Sequence, residues 1–148
     1  ILTNHAVNLG RINVFGGEQM RPNLHIDDVV DLYLLLLEVP ERDIAGKVFN
    51  AGYQNHKIKD IARIVHDVVQ QCVPGQEPVE IVTTASDDRR SYHISSEKIK
   101  RVLGFVPRRT IEDGAQDLVQ AFQAGKLPEA LNALRYYNIR TMQSIELK

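Results

Sequence analysis

Glycine and proline residues divide this chain of 148 residues into short segments, and this division limits the folds that it can adopt. Both residue types end regular secondary structure, glycine by reaching left-handed backbone angles and proline by lacking a backbone donor. The breaks fall at Gly10, Gly16-Gly17, Pro40, Pro74-Gly75, Gly104 and Gly125. Because each segment has room for one or two short elements, the sequence predicts a small α/β fold.

Segments of both secondary-structure types occur between these breaks. Those with the alternating or apolar character of short strands are 11–15, 21–26, 48–50 and 79–83. Those that repeat apolar residues at helical spacing are 1–9, 28–39, 58–72, 96–103, 111–124 and 128–135. Asp27 and Ser95 are expected to cap the helices that follow them, and Thr110 with Asp113 predicts a capping box. Most of the strands would be covered by the helix that follows.

Charge and cysteine content exclude several classes of function. The chain has 18 Lys and Arg residues against 19 Asp and Glu residues, and the two signs are interspersed. Nothing in this pattern predicts binding to nucleic acid or to an anionic membrane. The longest apolar run, 34–37, is too short to cross a bilayer. Since Cys72 has no partner for a disulfide, we expect a soluble protein of the reducing cytoplasm.

The chain has no internal repeat, low-complexity tract or long linker, so we expect a single domain over residues 1–148. Within it, residues 126–148 are expected to form a helical extension and a tail. The sequence begins Ile1-Leu2-Thr3, without an initiator methionine and inside a predicted helix. We therefore expect that the natural protein has a further N-terminal portion.

Three motifs, in a fixed order, resemble one known family, the extended short-chain dehydrogenases/reductases. Residues 13–33 read NVFGGEQMRPNLHIDDVVDLY, similar to the family's Phe-Gly strand end, Gln-x-Arg and His-Val-x-Asp-x-(Ala/Val) helix start. Residues 48–52 read VFNAG, similar to its Tyr-Asn-(Leu/Val)-Gly segment. Residues 88–107 read DRRSYHISSEKIKRVLGFVP, which resembles Asp-x-Arg-x-Tyr followed by Ser-Lys-x-x-x-x-Leu-Gly-(Trp/Phe)-x-Pro. The resemblance extends to about Gly125.

The resemblance implies that the chain is the C-terminal, substrate-binding part of an NAD-dependent nucleotide-sugar epimerase or dehydratase. In that family, a small domain of short strands and covering helices is appended to an N-terminal Rossmann domain that holds NAD or NADP. The implied partners are therefore a nucleotide-diphosphate sugar and this Rossmann domain, and the intact enzyme is expected to be a homodimer. The nucleotide, the sugar, and the choice between an isomerase and a lyase reaction are left open.

Arginine is well suited to a diphosphate because its planar fork donates two hydrogen bonds to phosphate oxygens. Arg21 matches the pyrophosphate-binding arginine of the family. Arg90 is the second candidate, with Arg89 as its alternative; Tyr92 would offer a hydroxyl to the same phosphates. Asp88 would accept from a ribose hydroxyl or brace the arginines. The competing interpretation is a set of exposed surface charges that pair among themselves at little energetic gain.

The nucleotide base would lie at the end of the first strand. Phe15 is similar to the position where the family packs an aromatic ring against the base, and the backbone at Asn13 and Val14 would pair with the base edge. A phenylalanine in a short strand is otherwise often a core residue. Ile58 is open to the same two interpretations, a wall of the base pocket or part of the core.

The sequence lacks the residues that would hold the cofactor and carry out the reaction. No Gly-x-Gly-x-x-Gly turn follows a strand, so no helix N-terminus is placed under a dinucleotide pyrophosphate. Tyr53 and Lys57 match Tyr-x-x-x-Lys, the family's catalytic pair, but this match follows Gly52 in a predicted loop, whereas the pair must share a helix face. We therefore assign no catalytic or cofactor-binding residue to the chain, and we expect it to be inactive alone.

The sequence also offers a metal-site interpretation and two alternatives at the level of function. His25-Ile26-Asp27-Asp28 contains possible metal ligands, but the expected role of Asp27 as a helix cap favours a structural histidine and no metal site. At the level of function, the alternatives are a non-catalytic binding or regulatory member of the family and a reductase or decarboxylase on the same scaffold.

Overall fold

The structure is a computed structural model, and it describes residues 1–75, 77–88 and 90–145. Helices and strands are interspersed over residues 2–84, and the elements described after residue 84 are helical. In order they are α1 (Leu2–Leu9), β1 (Arg11–Phe15), β2 (Met20–Asn23), α2 (Ile26–Glu38), α3 (Glu41–Ile44), β3 (Gln54–Lys57), α4 (Ile58–Cys72), β4 (Glu80–Thr84), α5 (Glu97–Leu103), α6 (Ile111–Gln123), a 3-10 turn (Leu134–Tyr136) and α7 (Asn138–Ser144). The predicted α/β class is confirmed.

The strands form two pairs of opposite type. β1 and β4 are parallel, with Arg11 opposite Glu80 and Phe15 opposite Thr84. β2 and β3 are antiparallel, and Arg21 lies opposite His56. β2 follows β1 after a turn, and β3 leads directly into α4, which packs against β1. The β2–β3 pair therefore lies near the end of β1.

The main core lies between the β1–β4 pair and helices α1, α4 and α6. Apolar residues at helical spacing give α4 one buried face, and the alternating side chains of β1 meet that face. The buried members are Ala6, Ile12, Val14, Ala62, Val65, Val68, Val69, Val79, Ala115 and Val119. The end of β1 is therefore packed against the main core.

Helix α2 has two apolar faces. One face packs against α5 and the segment after it, through a cluster that includes Leu32, Ile99 and Phe105. The other, here called the α2 apolar face, is exposed and consists of Ile26, Val30, Tyr33, Leu34 and Leu37. None of the helices in the described part of the chain is both long and apolar enough to cross a bilayer.

A buried carboxylate joins α2 to the segment that precedes α6. Asp28 is 2% exposed and accepts hydrogen bonds from the backbone amides of Arg108 (3.1 Å) and Arg109 (3.0 Å) and from the Arg109 Nη1 (2.7 Å). Burial raises the pKa of Asp28, but these hydrogen bonds outweigh burial and hold that pKa below its usual value. The carboxylate therefore remains ionised inside the protein.

Several elements agree with the sequence predictions. Gly10 ends α1 with a left-handed φ of 62°, and α4 spans Ile58–Cys72, as predicted. Thr110 and Asp113 form the expected capping box at the start of α6. Each of these features depends on residues that are close together in the sequence.

Other predictions were wrong. Residues 48–50 do not form a buried strand, since Val48 is 79% exposed and the segment has no strand partner among the described residues. β3 was missed because Gln54–Lys57 is polar and lacks alternation; its strand conformation comes from pairing with β2. Residues 128–135 do not form an α-helix; a 3-10 turn begins at Leu134, and α7 follows it.

Two helix caps also differ from the prediction. His25, rather than Asp27, caps α2, because its Nδ1 accepts from the Asp27 amide at 3.2 Å. This cap ends the preceding extended segment early, so β2 stops at Asn23 instead of residue 26. Ser96, rather than Ser95, occupies the N-cap position of α5, but its side chain makes no capping hydrogen bond; Ser95 Oγ accepts from the Glu97 amide at 3.4 Å, as expected of a cap.

Candidate functional site

The side chain of Arg21 meets the loop that follows β4. Its Nη1 donates to the carbonyl oxygens of Met20 (2.9 Å) and Arg90 (2.6 Å), and its Nη2 lies 3.8 Å from Asp88 Oδ2. The guanidinium also lies 5.3 Å from the centre of the Tyr92 ring. Arg21, Asp88, Arg90 and Tyr92, here called the arginine cluster, therefore converge in one place.

Asp88 is the anion of the arginine cluster. It accepts from Arg90 Nε and Nη2, both at 2.7 Å, and from the Arg90 backbone amide at 3.1 Å. The hydrogen bonds from Arg90 hold the pKa of Asp88 well below its usual range, and Asp88 in turn raises the pKa of Arg90. Two guanidinium groups thus share one carboxylate, so the cluster keeps a net positive charge that favours an anionic ligand.

Hydrogen bonds fasten the loop to the strand that carries Arg21. The Tyr92 amide donates to the Met20 carbonyl at 3.0 Å, and the Met20 amide donates to Ser91 Oγ at 2.9 Å. Ser91 lies between the predicted site residues, yet its type and position gave no indication of this contact. The loop therefore runs along β2 without being a regular strand.

The end of β1 offers an aromatic ring beside an open strand edge. Phe15 is 62% exposed, so its side chain is not part of the core. Val14, by contrast, is buried, and its backbone faces β4, because Gly10 and Gly16 bond to β4 and alternate residues of a strand share an edge. Asn13 is partly buried. β1 pairs with β4 along one edge and has no strand on the other within the described residues.

Gln19 connects the end of β1 with the arginine cluster. Its Nε2 donates to the carbonyl oxygens of Phe15 (3.3 Å) and Asp88 (2.8 Å). The sequence motif contains this residue, but the prediction gave it no role, since both partners become apparent only in the tertiary structure.

Two further candidates have different outcomes. Ile58 is half-buried and packs against the main core, which favours the core interpretation. Arg89, the alternative to Arg90, lies outside the described residues.

His25 has the contacts of a structural histidine. Its Nδ1 accepts from the Asp27 amide, and its Nε2 lies 3.3 Å from Asp117 Oδ2 in α6. A ligand atom from each of His25, Asp27 and Asp117 lies within 4.8 Å of the others. Both ring nitrogens nevertheless already have partners, so the imidazole links the start of α2 to α6.

The geometry of the Tyr53 and Lys57 match differs from that of a catalytic pair. Tyr53 precedes β3 and Lys57 ends it, so the two residues do not share a helix face. Lys57 Nζ instead donates to Glu18 Oε2 at 2.8 Å, and Lys59 pairs with the same carboxylate. These bonds lower the pKa of Glu18 to about 2. Lys57 therefore belongs to a surface ion cluster with Glu18 and Lys59.

A cavity of about 480 Å³ lies away from these residues, between α1, β2 and α6. Its wall is mostly apolar and includes Leu24, Ile61, Ile111 and Leu118. None of the seven predicted site residues lines it. The arginine cluster is therefore separate from this apolar cavity.

The sequence of this chain is similar to known nucleotide-sugar enzymes. Residues 1–52 match the NAD dependent epimerase/dehydratase family. A dTDP-glucose 4,6-dehydratase of Escherichia coli is 32% identical over 111 residues, covering 68% of this chain and 30% of the dehydratase. UDP-D-apiose/UDP-D-xylose synthase 1 of Arabidopsis thaliana is 30% identical over 112 residues, covering 68% of this chain and 28% of the synthase. The chain thus spans about 30% of the length of these relatives.

Solved structures give the same result. The UDP-glucose 4-epimerase of Thermotoga maritima, solved with UDP-glucose, has a TM-score of 0.62 and 26% identity, covering 84% of this chain and 38% of the epimerase. The RMD protein of Pseudomonas aeruginosa, solved with NADPH, has a TM-score of 0.62 and 25% identity, covering 83% of this chain and 40% of RMD. The fold described above is therefore one part of a larger known architecture.

Proposed function

Since this chain belongs to the NAD-dependent epimerase/dehydratase family, we propose that it is the part of such an enzyme that binds a nucleotide-diphosphate sugar. The proposal is carried by the convergence of Arg21 with Asp88, Arg90 and Tyr92. Residues 69 positions apart, in a strand and in a loop, meet there through a direct hydrogen bond. In this role the chain grips and orients the substrate.

The diphosphate is proposed to bind at the arginine cluster. Arg21 is held by two backbone carbonyls, so less of its side-chain freedom is lost when a ligand binds. Arg90 is mostly exposed and is accessible to an incoming phosphate. Tyr92 is half exposed and adds a hydroxyl donor. We propose that Asp88 braces these groups or accepts from the ribose.

The nucleoside is proposed to lie against the end of β1. The exposed ring of Phe15 offers a stacking surface, and stacking tolerates any base because every base has a π face. The backbone of Asn13 faces the open edge of β1 and is proposed to pair with the edge of the base, whereas the backbone of Val14 faces β4, so the predicted contact of Val14 is not kept. Gln19 links this place to the arginine cluster, so a ligand lying on both would have its base and phosphates on connected elements.

We propose that an N-terminal Rossmann domain covers the α2 apolar face and the neighbouring segment 48–50. In this segment Phe49 packs inward, whereas Val48 points outward and is 79% exposed. The segment has the alternation of a strand but no ladder partner among the described residues. Covering this surface would remove its apolar side chains from water, which favours association.

The described residues do not fit a dinucleotide cofactor. The Gly16-Gly17 turn leads into β2 and not into a helix N-terminus, which a dinucleotide pyrophosphate requires. NAD or NADP would supply the hydride acceptor within the proposed Rossmann domain, together with the catalytic tyrosine and lysine. The distant nucleotide contacts made by this chain would hold the sugar in place for that chemistry.

The remaining proposals depend on the resemblance. They are that residues 1–148 act as one substrate-binding domain with an extension over 126–148, that the chain alone is inactive, and that the intact enzyme is a cytoplasmic homodimer. The choice between an epimerisation and a dehydration is left open.

Calorimetric titration of this chain with nucleotide-diphosphate sugars tests the proposal. Arg21→Ala should weaken binding by about 1.5–3 kcal/mol, the value of a charged hydrogen bond. Arg63→Ala is the matched control, because Arg63 is exposed on α4, and it should bind like the wild-type chain. An unchanged dissociation constant for Arg21→Ala would contradict the assignment, and so would tight binding of NAD alone.

A further inference from the structure

We propose that Gln19 is a positioning residue that sets the separation between the base and the diphosphate, an inference that rests on the proposed function. Gln19 is buried, with 9% of its surface exposed, and it lies between the two halves of the proposed site. It does not offer its side chain to a ligand. Its effect would pass through the residues that it connects.

All three polar functions of the Gln19 side chain have a partner. Its Oε1 accepts from the Gly17 amide at 2.7 Å, and its Nε2 donates to Phe15 O at 3.3 Å and to Asp88 O at 2.8 Å. Since Nε2 has two hydrogens, one amide group joins the residue at the base end to the residue at the phosphate end. Neither glutamate nor methionine can make both of these donations.

The backbone around Gln19 is fixed as well. The Gln19 carbonyl accepts from the Ile58 amide at 3.1 Å, and the Gly17 carbonyl accepts from the Lys59 amide at 3.1 Å. The turn is thereby attached to the start of α4, one of the helices of the main core. Gln19 therefore connects the start of α4, through hydrogen bonds, to the loop that carries Arg90.

The close approach of Gly16 supports this arrangement. Gly16 has a φ of 74°, and a Cβ at this position would lie 2.6 Å from Gln19 Nε2. A side chain at Gly16 would therefore displace the amide that makes the two donations. The glycine leaves the space in which the amide lies.

Two arms of one experiment test the inference, with Gln19→Met as the main variant. Methionine keeps the length of the side chain and removes its hydrogen bonds. Gln123→Met is the matched control, because the Gln123 amide donates to the Cys72 carbonyl far from the site. The first arm measures amide hydrogen exchange at Arg90 and Tyr92 without ligand. We expect exchange there to rise about tenfold in Gln19→Met, as for the loss of a buried hydrogen bond.

The second arm measures binding of UDP and of uridine by calorimetry. In Gln19→Met, affinity for UDP should fall about tenfold while affinity for uridine changes little, since only the phosphate end is displaced. General destabilisation would lower both affinities equally. The ratio of UDP affinity to uridine affinity therefore distinguishes a loss of positioning from a loss of folded protein. Gln19→Glu is the second variant, for use if Gln19→Met folds poorly. It keeps the acceptor and loses the donor, so it should also lower the ratio of UDP affinity to uridine affinity.

The outcomes are distinguishable. A wild-type chain that binds neither probe overturns the proposed function and, with it, the ligand part of this inference. If the wild-type chain binds UDP, unchanged loop exchange or an unchanged UDP-to-uridine ratio in both Gln19 variants overturns the positioning role alone. Faster amide exchange at Arg90 and Tyr92, together with a lower ratio of UDP affinity to uridine affinity, supports the positioning role.

Discussion

The arginine cluster and the α2 apolar face are both exposed, but they differ in how their side chains are held. In the arginine cluster, Arg21 and Arg90 are both fixed by hydrogen bonds to neighbouring groups. On the α2 apolar face, Tyr33 and Leu37 point into solvent, and Leu37 is 83% exposed. The arginine cluster is ordered without a ligand, whereas the α2 apolar face is not covered by other described residues.

This difference agrees with the two partners proposed above, a small anionic ligand and another domain. A small charged ligand gains from groups that are already in place, because ordering them would reduce its affinity. A protein surface gains instead from the apolar area that it removes from water. We therefore propose that the same chain combines a preformed polar site with an apolar surface suited to another domain.

Among the polar contacts, the largest effect is expected at Asp28, which holds α2 against the segment before α6. Asp28→Ala removes three hydrogen bonds to a buried carboxylate and should lower the free energy of unfolding by about 2–3 kcal/mol. Asp31→Ala is the control, because Asp31 also pairs with Arg109 but is exposed. Urea denaturation of both variants measures the difference. Equal losses of unfolding free energy in the two variants would show that the burial of Asp28 does not stabilise the contact between α2 and the segment before α6.

The contribution of Asp28 should also depend on pH. Because its folded pKa is depressed, its stabilisation is fully present above its unfolded pKa, about 3.9, and is lost as the pH falls through the lower folded value. Asp28→Asn should therefore differ most from the wild-type chain at pH 7 and least near pH 2.5. Thermal unfolding at both pH values measures this, and a difference that grows in acid would contradict the sign.

A smaller effect is expected in the arginine cluster, where Asp88 already fills the position of an anion. Asp88→Asn removes this competing charge but keeps the shape of the side chain. We expect inorganic pyrophosphate to bind about two- to fivefold more tightly, an effect typical of exposed ion pairs. Asp87→Asn is the neighbouring control. Weaker binding in Asp88→Asn would show that the carboxylate mainly braces the arginines.

The two regions also differ in what the sequence could predict. Gly10, the capping box at Thr110 and the apolar spacing of α4 follow local rules, and all three predictions were confirmed. β3 was missed because its polar residues become a strand only by pairing with β2. Segment 48–50 was predicted as a strand from its apolar residues, but pairing needs a partner strand, which the described chain does not supply.

The arginine cluster required a different kind of information. Arg21 and Arg90 are separated by 69 positions, and no periodicity relates them; the family resemblance suggested both. The roles of Gln19 and Ser91 were not predicted, since their hydrogen bonds connect segments about 70 residues apart. Local patterns thus predict elements, whereas contacts between a turn and a distant loop depend on the assembled fold.

The smallest expected effect tests whether the α2 apolar face lacks a partner in this chain. Leu37→Ala should change the free energy of unfolding by less than about 0.5 kcal/mol, because Leu37 is almost fully exposed. Leu32→Ala, on the packed face of the same helix, should cost about 2–4 kcal/mol because it leaves a cavity. Thermal unfolding of both variants makes the comparison. If Leu37→Ala proved as costly as Leu32→Ala, the exposed face would already be covered by a second copy of the chain, and the contrast with the arginine cluster would no longer hold.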